Sequence, residues 1–400
     1  MEMNMERLNC RLVKVLLCVI LWLPLMACRK DDPWYTTQPS CVIKGADPGR
    51  TGEYKAEGIK EFHNVVWNTV IENTDPDLDL LCYENKIFYG GKGYDEKTGK
   101  LIWKIPELQK YRFGESVIYK GHLYLNLYSY NQKQIPRYTY IGIADINIPT
   151  KEIKMLNTPL EAKKHSPENM LAINDMLFTN SGDDLFAYSL KTNQVVWHTA
   201  TTKNSTGLLL TTDGERLFTR DQDRLAAYDI KTGKKQWIFD VRSMDIIYKD
   251  GVVYTDGIRG VWALNPKTGK VIWHYIPDSM DYYQFLPFEM RVNEKNVYVA
   301  NENGFDKNFY VLDRLTGKLN FKIHGLINPL LHTDALYVDD YIIPYYEDYV
   351  NTIKVLDVKS QRLHPIHLPT SASYKFPKDK NLLLFKYDID KKEVILTLIN

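Results

Sequence analysis

Eight of the nine histidines are scattered through the chain without forming a recognisable catalytic cluster. They are His122, His165, His198, His274, His324, His332, His364 and His367. His364 and His367 flank Pro365 and could share a metal ion, but a zinc site needs three or four protein ligands and no third is grouped with them. The sequence also lacks the nucleophile elbow, the zinc-protease helix, the P-loop and the Rossmann glycine pattern. We therefore predict no metal, no cofactor and no enzymatic activity.

Cysteine chemistry is expected at the N-terminus. Three basic residues precede an apolar run over residues 15–23, which is too short for a permanent transmembrane helix and is typical of a signal peptide. The run ends in the sequence Leu-Met-Ala-Cys at residues 25–28, which resembles the bacterial lipobox. We predict that residues 1–27 are removed and that Cys28 is acylated, as by palmitate, which anchors the protein to a membrane. The alternative is a buried cysteine at an ordinary cleavage junction.

Two cysteines would then remain available for pairing. Cys10 and Cys18 leave with the signal peptide and Cys28 is lipidated, so Cys41 and Cys82 could form a disulfide in an oxidising compartment. Metal binding by this pair is disfavoured because no C-x-x-C or H-x-x-x-H spacing accompanies it. Whether the pair is oxidised stays open at this point.

The residues after Cys28 indicate where the lipoprotein resides. No Asp follows the cysteine directly, and such an Asp is the usual inner-membrane retention residue, so we predict outer-membrane delivery. Lys30, Asp31 and Asp32 also resemble the surface-export signal of Bacteroidetes lipoproteins, which leaves both the periplasmic face and the cell surface open. Residues 28–60 contain several Pro and Gly residues and are predicted to form a lipidated flexible tether.

Overall charge excludes one class of partner. Residues 1–27 hold three of the 51 basic and two of the 50 acidic residues, so the mature chain has no net charge. A basic field that could attract nucleic acid is therefore missing, and we predict no nucleic-acid partner.

One phrase returns along the body of the chain and predicts its fold. It consists of a hydrophobic strand, an acidic or polar residue, a Thr-Gly-Lys turn, and a strand ending in an aromatic residue. The clearest copies cover residues 94–103, 228–237 and 264–273, and degraded copies align at 144–151, 188–197, 312–321 and 356–361. The chemistry is that of a hairpin, because Asp accepts from turn amides and Gly takes the positive φ of the tight bend. Asn193, which tolerates positive φ, replaces the glycine in one copy.

A second short strand with alternating apolar residues precedes most copies, so the repeating unit is a four-stranded antiparallel blade. The repeats resemble the pyrroloquinoline-quinone-like family from about Val65 to the C-terminus, which implies an all-β propeller over residues 61–400. The outer strands number eight, although two degenerate blades leave seven as an alternative. We expect the N-terminal strand at Asn64–Trp67 to complete the last blade by pairing with the C-terminal strands, which removes two exposed edges.

The resemblance also bears on activity. Quinoprotein dehydrogenases share this repeat, but they carry adjacent cysteines near the quinone, and the mature chain has none. A quinone-dependent dehydrogenase is therefore the least favoured function. Among lipoproteins the pattern is similar to the barrel-assembly accessory family, whose members dock on the chaperone arm of the outer-membrane insertase. That similarity implies a non-catalytic, monomeric platform for protein partners.

Two tyrosine-rich segments are the candidate binding residues. The first contains Tyr282, Tyr283 and Phe285, and the second contains Tyr346 and Tyr349. Tyrosine offers a large, stiff contact surface and a hydroxyl, which suits binding, although packing between blades is the alternative. Both segments are expected at connections that reach the same rim of the ring.

Two other functions remain open. Exposed tyrosines could stack on a glycan, which would make the protein a surface carbohydrate-binding lipoprotein. An immunity or inhibitor lipoprotein is a further alternative. The repeat tryptophans are expected to be buried, and this disfavours the glycan hypothesis.

Overall fold

The computed structural model describes most of the chain from residue 58 onward and two short pieces before it. The described residues are 41–42, 53–54, 58–72, 80–131, 138–156, 167–181, 184–201, 210–257, 260–277, 287–301, 308–332, 336–340, 352–370, 374–378, 381–388, 390–391 and 393–400. This part of the chain consists of β-strands and one short 3-10 helix, η1 (Pro106–Leu108). It contains no helix of the length and apolarity that crossing a membrane requires. The predicted all-β fold class is confirmed.

Three strands come before the repeats: β1 (Cys41–Val42), β2 (Glu53–Tyr54) and β3 (Val65–Glu72). The first half of the repeats follows in four-strand groups. Group 1 comprises β4 (Leu81–Tyr83), β5 (Lys86–Tyr89), β6 (Lys92–Asp95) and β7 (Leu101–Lys104). Group 2 comprises β8 (Arg112–Tyr119), β9 (His122–Tyr130), β10 (Tyr138–Asn147) and β11 (Ile153–Met155). Group 3 comprises β12 (Pro167–Ile173), β13 (Met176–Ser181), β14 (Asp184–Ser189) and β15 (Gln194–Ala200). Group 4 comprises β16 (Thr211–Thr212), β17 (Arg216–Asp221), β18 (Arg224–Asp229) and the first part of β19 (Lys235–Lys249).

The second half repeats the pattern. Group 5 comprises the second part of β19, then β20 (Val252–Gly257), β21 (Gly260–Leu264) and β22 (Val271–Tyr275). Group 6 comprises β23 (Pro287–Val292), β24 (Asn296–Asn301), β25 (Asn308–Asp313) and β26 (Leu319–His324). Group 7 comprises β27 (Leu326–His332), β28 (Leu336–Asp340), β29 (Thr352–Asp357) and β30 (Arg362–His367). Group 8 comprises β31 (Tyr374–Lys378), β32 (Asn381–Asp388), β33 (Glu393–Ile399) and the N-terminal β3.

Pairing within every group is antiparallel and follows chain order, and β3 pairs with β33 from Val65↔Ile399 to Glu72↔Glu393. The N-terminal strand thus supplies the fourth strand of group 8. Because β19 runs through groups 4 and 5 without a break, the described strands form seven sheets from eight groups. The blade count, eight or seven, stays a prediction.

Antiparallel order gives each group two distinct ends. The turn end carries the hairpins between the first and second strands and the Thr-Gly-Lys hairpins between the third and fourth strands. The loop end carries the connections between the second and third strands and the connections from one group to the next. All first strands consequently run in the same direction, from the loop end to the turn end.

First strands lie at the centre, where the groups converge. The first strands of neighbouring groups contact each other, as in β8 with β12, β19 with β23, β23 with β27, and β27 with β31. Fourth strands are the most exposed, and β3 and β22 each present apolar side chains to solvent. Hydrophobic clusters join successive groups, and one cluster joins group 8 to group 1 through Leu396 and Ile87.

The turn chemistry predicted from the repeat is present. In group 4 the Asp229 carboxylate accepts from the Thr232 amide at 2.9 Å and from the Thr232 hydroxyl at 2.8 Å. Gly233 follows with φ +69°, and Asn193 has φ +57° at the equivalent place in group 3. The acceptor role also lowers the pKa of Asp229, because the Thr232 hydrogen bond favours the ionised carboxylate.

Tryptophans of the fourth strands join groups 8, 1, 3, 4 and 5 to the group that follows each of them. The Trp197 indole N–H donates to the Ile230 carbonyl of group 4 at 3.1 Å. A Cβ built on Gly233 would clash with the Trp197 ring, so the turn glycine is needed both for its φ and for this contact. The same donor geometry occurs for Trp67, Trp103, Trp237 and Trp273. We refer to this contact as the tryptophan clasp.

Candidate binding face

The tyrosine-rich segments both belong to connections at the loop end. Tyr282, Tyr283 and Phe285 fall between β22 and β23, where group 5 leads into group 6. Tyr346 and Tyr349 fall between β28 and β29, the second and third strands of group 7. All five residues lie outside the described residues. The strands that flank them are described, and groups 6 and 7 pack on each other through a shared hydrophobic cluster.

Polar side chains recur beneath the loop end at one position of the second strand. In groups 2 to 5 the fifth residue of that strand is Asn126, Asn180, Arg220 and Asp256, which we refer to as the polar layer. Asn126, Asn180 and Asp256 are buried, and Arg220 is half-buried. Within the described residues, the Asn180 amide makes no hydrogen bond through either side-chain atom. A buried polar group without a partner destabilises a fold, so Asn180 is not explained by ordinary core packing.

An acid pair joins groups 5 and 6 in this layer. The Asp245 backbone N–H donates to Oδ1 of Asp256 at 2.6 Å. Oδ2 of Asp245 accepts from the Met290 backbone N–H of β23 at 2.8 Å. The Asp245 carboxylate therefore holds the backbone of β23 at its fourth residue, and the segment that contains Tyr282 and Tyr283 precedes that strand in the chain.

Burial sets the charge of this pair. Asp256 is fully buried, and this burial raises its pKa well above the usual range, with the Asp245 carboxylate as the second cause. Burial therefore favours the uncharged, protonated form of this carboxyl group. An uncharged acid does not suit Ca²⁺, which takes six to eight oxygen ligands, preferably with carboxylate charge. Among the described residues no three His, Cys, Asp or Glu side chains come close enough together to hold a metal ion. These residues do not fit the calcium-bound quinone of the quinoprotein dehydrogenases.

A small cleft opens between groups 1 and 2 at the loop end. Its walls include Tyr89, Gly91, Phe113 and Leu125. A Cβ at Gly91 would lie 2.9 Å from the Phe113 ring, so glycine permits the close approach of this ring.

The predicted cysteine pair is placed in two neighbouring elements. Cys41 lies in β1 and Cys82 in β4, and these two strands contact each other. Cys82 is half-buried and packs with the cluster between groups 8 and 1. The disulfide stays a prediction. Cys28, the predicted lipidation site, lies outside the described residues.

The repeat tryptophans are structural, as predicted. Trp103, Trp197 and Trp273 are buried, and Trp237 is half-buried. They lie in the tryptophan clasps between groups rather than in one concave patch. His364 and His367 lie three residues apart in β30, and such residues point to opposite faces of a strand.

The acid pair and the rest of the polar layer were not predicted from the sequence. One signal was available, since Asp256 ends an otherwise apolar run, Val-Val-Tyr-Thr, at residues 252–255. A carboxylate at the end of such a run is also what a solvated strand end looks like. Its burial depends on β19 and β23, which no local pattern brings together.

Comparisons with known proteins agree on the fold. The sequence profile of a family described as outer membrane protein assembly factor BamB matches residues 92–362. Among solved structures, BamB from Moraxella catarrhalis is 14% identical with a TM-score of 0.56, and the match covers 83% of this chain and 98% of that one. No curated protein sequence matches the chain.

Two quinohemoprotein alcohol dehydrogenases share the architecture. The enzyme ADHIIG from Pseudomonas putida HK5 is 9% identical with a TM-score of 0.62, covering 90% of this chain and 80% of that one. The enzyme from Comamonas testosteroni is 10% identical with a TM-score of 0.61, covering 93% and 82%. At these identities the likeness shows the β-propeller fold and nothing about activity.

Proposed function

This chain belongs to the family described as outer membrane protein assembly factor BamB, and from that membership we propose that it is a non-catalytic, outer-membrane-anchored platform that binds a protein partner at its loop end. The observation that supports the proposal most directly is the contrast between the ends of the groups. Repeated contacts occupy the turn end, whereas the tyrosine-rich connections belong to the loop end. Binding residues are commonly held on loops by a rigid scaffold.

Charge indicates what kind of partner fits. The connections at residues 278–286, 302–307 and 341–351 leave the loop ends of three successive groups, 5, 6 and 7. Together they contain six acidic residues and one lysine, besides their tyrosines and phenylalanines. An acidic, aromatic surface is complementary to a basic one, so the partner we propose presents a basic, partly apolar face.

A site-specific cross-linking experiment tests this face. A photoreactive amino acid is placed at Tyr283, and a matched control is placed at Leu315, an exposed apolar residue of the group 6 turn. We expect the Tyr283 probe to capture an outer-membrane assembly component in cells, and we expect its yield to fall with added salt in isolated membranes. Equal capture of that component at Leu315 would contradict the proposal.

Lipid attachment at Cys28 is part of the same proposal. Cys28→Ser should move the protein from the membrane fraction to the soluble fraction, because two or three acyl chains provide the anchoring free energy. If the variant remains in the detergent phase, the lipoprotein assignment is wrong. A membrane-impermeant biotinylation reagent applied to whole cells then distinguishes the surface from the periplasmic face.

A disulfide between Cys41 and Cys82 is proposed from the contact between β1 and β4. Peptide mapping of the mature protein without reductant should yield one linked peptide containing both residues. Two alkylated cysteines, with no linked peptide, would refute the pairing.

A further inference from the structure

The central edges of the groups are themselves available for strand pairing. In every group the first strand has one neighbour within the group, so its other edge faces the centre. A strand edge with unpaired N–H and C=O groups is a site for strand addition, and proteins usually cover such edges. Two of the central edges are covered by short strands from the N-terminal part of this chain.

The first covered edge belongs to group 2. β1 pairs antiparallel with β8, with Cys41 opposite Tyr119 and Val42 opposite Ile118. Tyr119 immediately precedes the hairpin at Lys120 and Gly121, so β1 lies at the turn end. β1 also contacts β4 and β12, the first strands of groups 1 and 3, as a strand near the convergence point should.

The second covered edge belongs to group 7. β2 pairs parallel with β27, with Glu53 opposite Leu331 and Tyr54 opposite His332. These partners are the last residues of β27, so β2 also lies at the turn end. The two covered edges therefore belong to groups that are not neighbours, since groups 8 and 1 lie between them on the shorter way around the repeats.

The chain beyond β2 is held in the body of the protein. Ile59 is buried in the cluster between groups 7 and 8, and its carbonyl accepts from the Tyr337 hydroxyl at 2.6 Å. The His63 amide donates to the carbonyl of Asn400 at 2.7 Å, next to the start of β3. Chain connectivity also permits the second strand addition, since the eleven steps from Val42 to Glu53 span up to about 36 Å when extended.

We infer that β1 and β2 form an intramolecular strap, which occupies the central strand-addition sites of β8 and β27 and closes these two strand edges to other peptides. This inference goes beyond the proposed function and does not depend on it. It assigns the ligand class of both sites, an extended peptide, and it names the occupant as residues 41–42 and 53–54 of the same chain. The lipidated tether consequently joins the body at groups 2 and 7 rather than at β3.

Engineered disulfides in the full mature chain test the strap. With the native cysteines replaced by serine, Tyr54→Cys is combined with His332→Cys, its partner across the parallel pair. Cα atoms of paired strands lie within the distance that a disulfide spans. The matched control combines Tyr54→Cys with Lys249→Cys, which occupies the equivalent last position of the first strand in group 5.

We expect the link between positions 54 and 332 to form at least tenfold faster than the control link under mild oxidation, with an unchanged circular dichroism spectrum. The control also reports misfolding, because a disordered chain would form both links at similar rates. Val42→Cys with Ile118→Cys repeats the test at β1.

Hydrogen exchange of the unmodified protein provides an independent readout. The amides of residues 41–42 and 53–54 should exchange at least tenfold more slowly than they do in a synthetic peptide covering residues 38–57. Exchange at the peptide rate, together with equal linking rates in the paired and control variants, would overturn the strap.

Discussion

The two ends of the groups differ in how regular they are. At the turn end, four glycines of the Thr-Gly-Lys turns each lie against a tryptophan of the preceding group. Toward the loop end, the fifth residue of the second strand is Asn, Asn, Arg and Asp in groups 2 to 5. The turn end thus repeats the tryptophan clasp, whereas the residue type at the polar-layer position changes from group to group. The repeated contact satisfies an indole N–H and fills space. At the varied position, the buried Asn180 side chain makes no hydrogen bond within the described residues. Stability is therefore concentrated at one end, and the other end is free to acquire a binding role.

The departures from the repeat support this comparison. Met155, opposite Ala144, stands where a tryptophan would join group 2 to group 3. There the Asp175 carboxylate pairs with Lys120 and Lys191 and accepts from the Tyr119 hydroxyl. These contacts hold the pKa of Asp175 well below its usual range, with the Lys120 hydrogen bond as the largest cause. Between groups 2 and 3, where the clasp is missing, these ion pairs join the two groups at the turn end.

Removing a clasp should give the largest effect. Trp103 is buried, donates to the Ile148 carbonyl at 2.9 Å and meets the Phe88 ring edge-on at 5.2 Å. Trp103→Ala should lower the free energy of unfolding by about 3 to 5 kcal/mol, measured by urea denaturation. Ile102→Ala, one residue away and exposed, should change it by no more than about 0.5 kcal/mol. Similar losses in the two variants would break the comparison between the ends.

A pair of glycine variants separates backbone strain from the clasp. Gly233 and Gly251 both have positive φ, but a Cβ on Gly233 would meet the Trp197 ring, whereas a Cβ on Gly251 would meet nothing within 4 Å. Gly251→Ala should cost about 1 to 2 kcal/mol from the left-handed conformation alone. Gly233→Ala should cost at least about 1 kcal/mol more, because overpacking adds to the strain. Equal thermal shifts for the two variants would show that the clasp contributes nothing beyond φ.

The acid pair predicts a pH dependence specific to the loop end. The pKa of Asp256 is raised by burial, so its stabilising contribution is complete below the unfolded pKa, about 4, and is lost as pH rises through the folded pKa. In Asp256→Asn this part of the dependence should disappear, and the variant should match or exceed the wild type at alkaline pH. Urea midpoints measured at several pH values provide the test.

A carboxylate at the turn end provides a control, because its effect on stability has the opposite pH dependence. The pKa of Asp229 is lowered by its Thr232 hydrogen bond, so its contribution is present above the unfolded pKa and is lost on acidification. Asp229→Asn should therefore reduce the difference in stability between neutral and acidic pH. If both asparagine variants shift the profile in the same direction, the two ends do not differ in the way described here.

The smallest effect on folding is expected at the proposed binding residues. Tyr282→Ala with Tyr283→Ala, or Tyr346→Ala with Tyr349→Ala, should change unfolding by about 0.5 kcal/mol or less. Either double variant should weaken partner binding at least tenfold, about 1.4 kcal/mol, as measured by titration with the purified partner that cross-linking identifies. A large loss of stability with unchanged binding would identify these tyrosines as packing residues.

An element of this fold could be predicted when nearby residues specify it, and was missed when it depends on residues far away in the sequence. Each hairpin with Asp, Thr and Gly is specified within ten residues, so β17 to β19 and β20 to β22 could be located from the repeat. The continuity of β19 was not predicted, although residues 238–249 contain no Gly or Pro that would end a strand. β1 and β2 were not predicted either, because strands of two residues have no periodicity and depend on partners far away in the sequence.

The pairing of β3 with β33 also determines how late in synthesis group 8 can fold. Val65 and its partner Ile399 are more than three hundred residues apart, which corresponds to roughly 15 to 70 seconds of synthesis at about 5 to 20 residues per second. During that time Val65, Val66 and Val70 form an apolar strand whose native partner does not yet exist. Until β33 is synthesised, β3 has no partner strand and can aggregate or bind a chaperone.

The same pairing makes the folding of group 8 depend on β33. A chain that stops before Glu393 lacks all of β33, so β3 and β32 are both left with an open edge in one group. A truncated product therefore carries an apolar edge that proteases and chaperones can recognise, whereas a finished chain conceals it. Group 8 can therefore fold completely only after β33 has been synthesised.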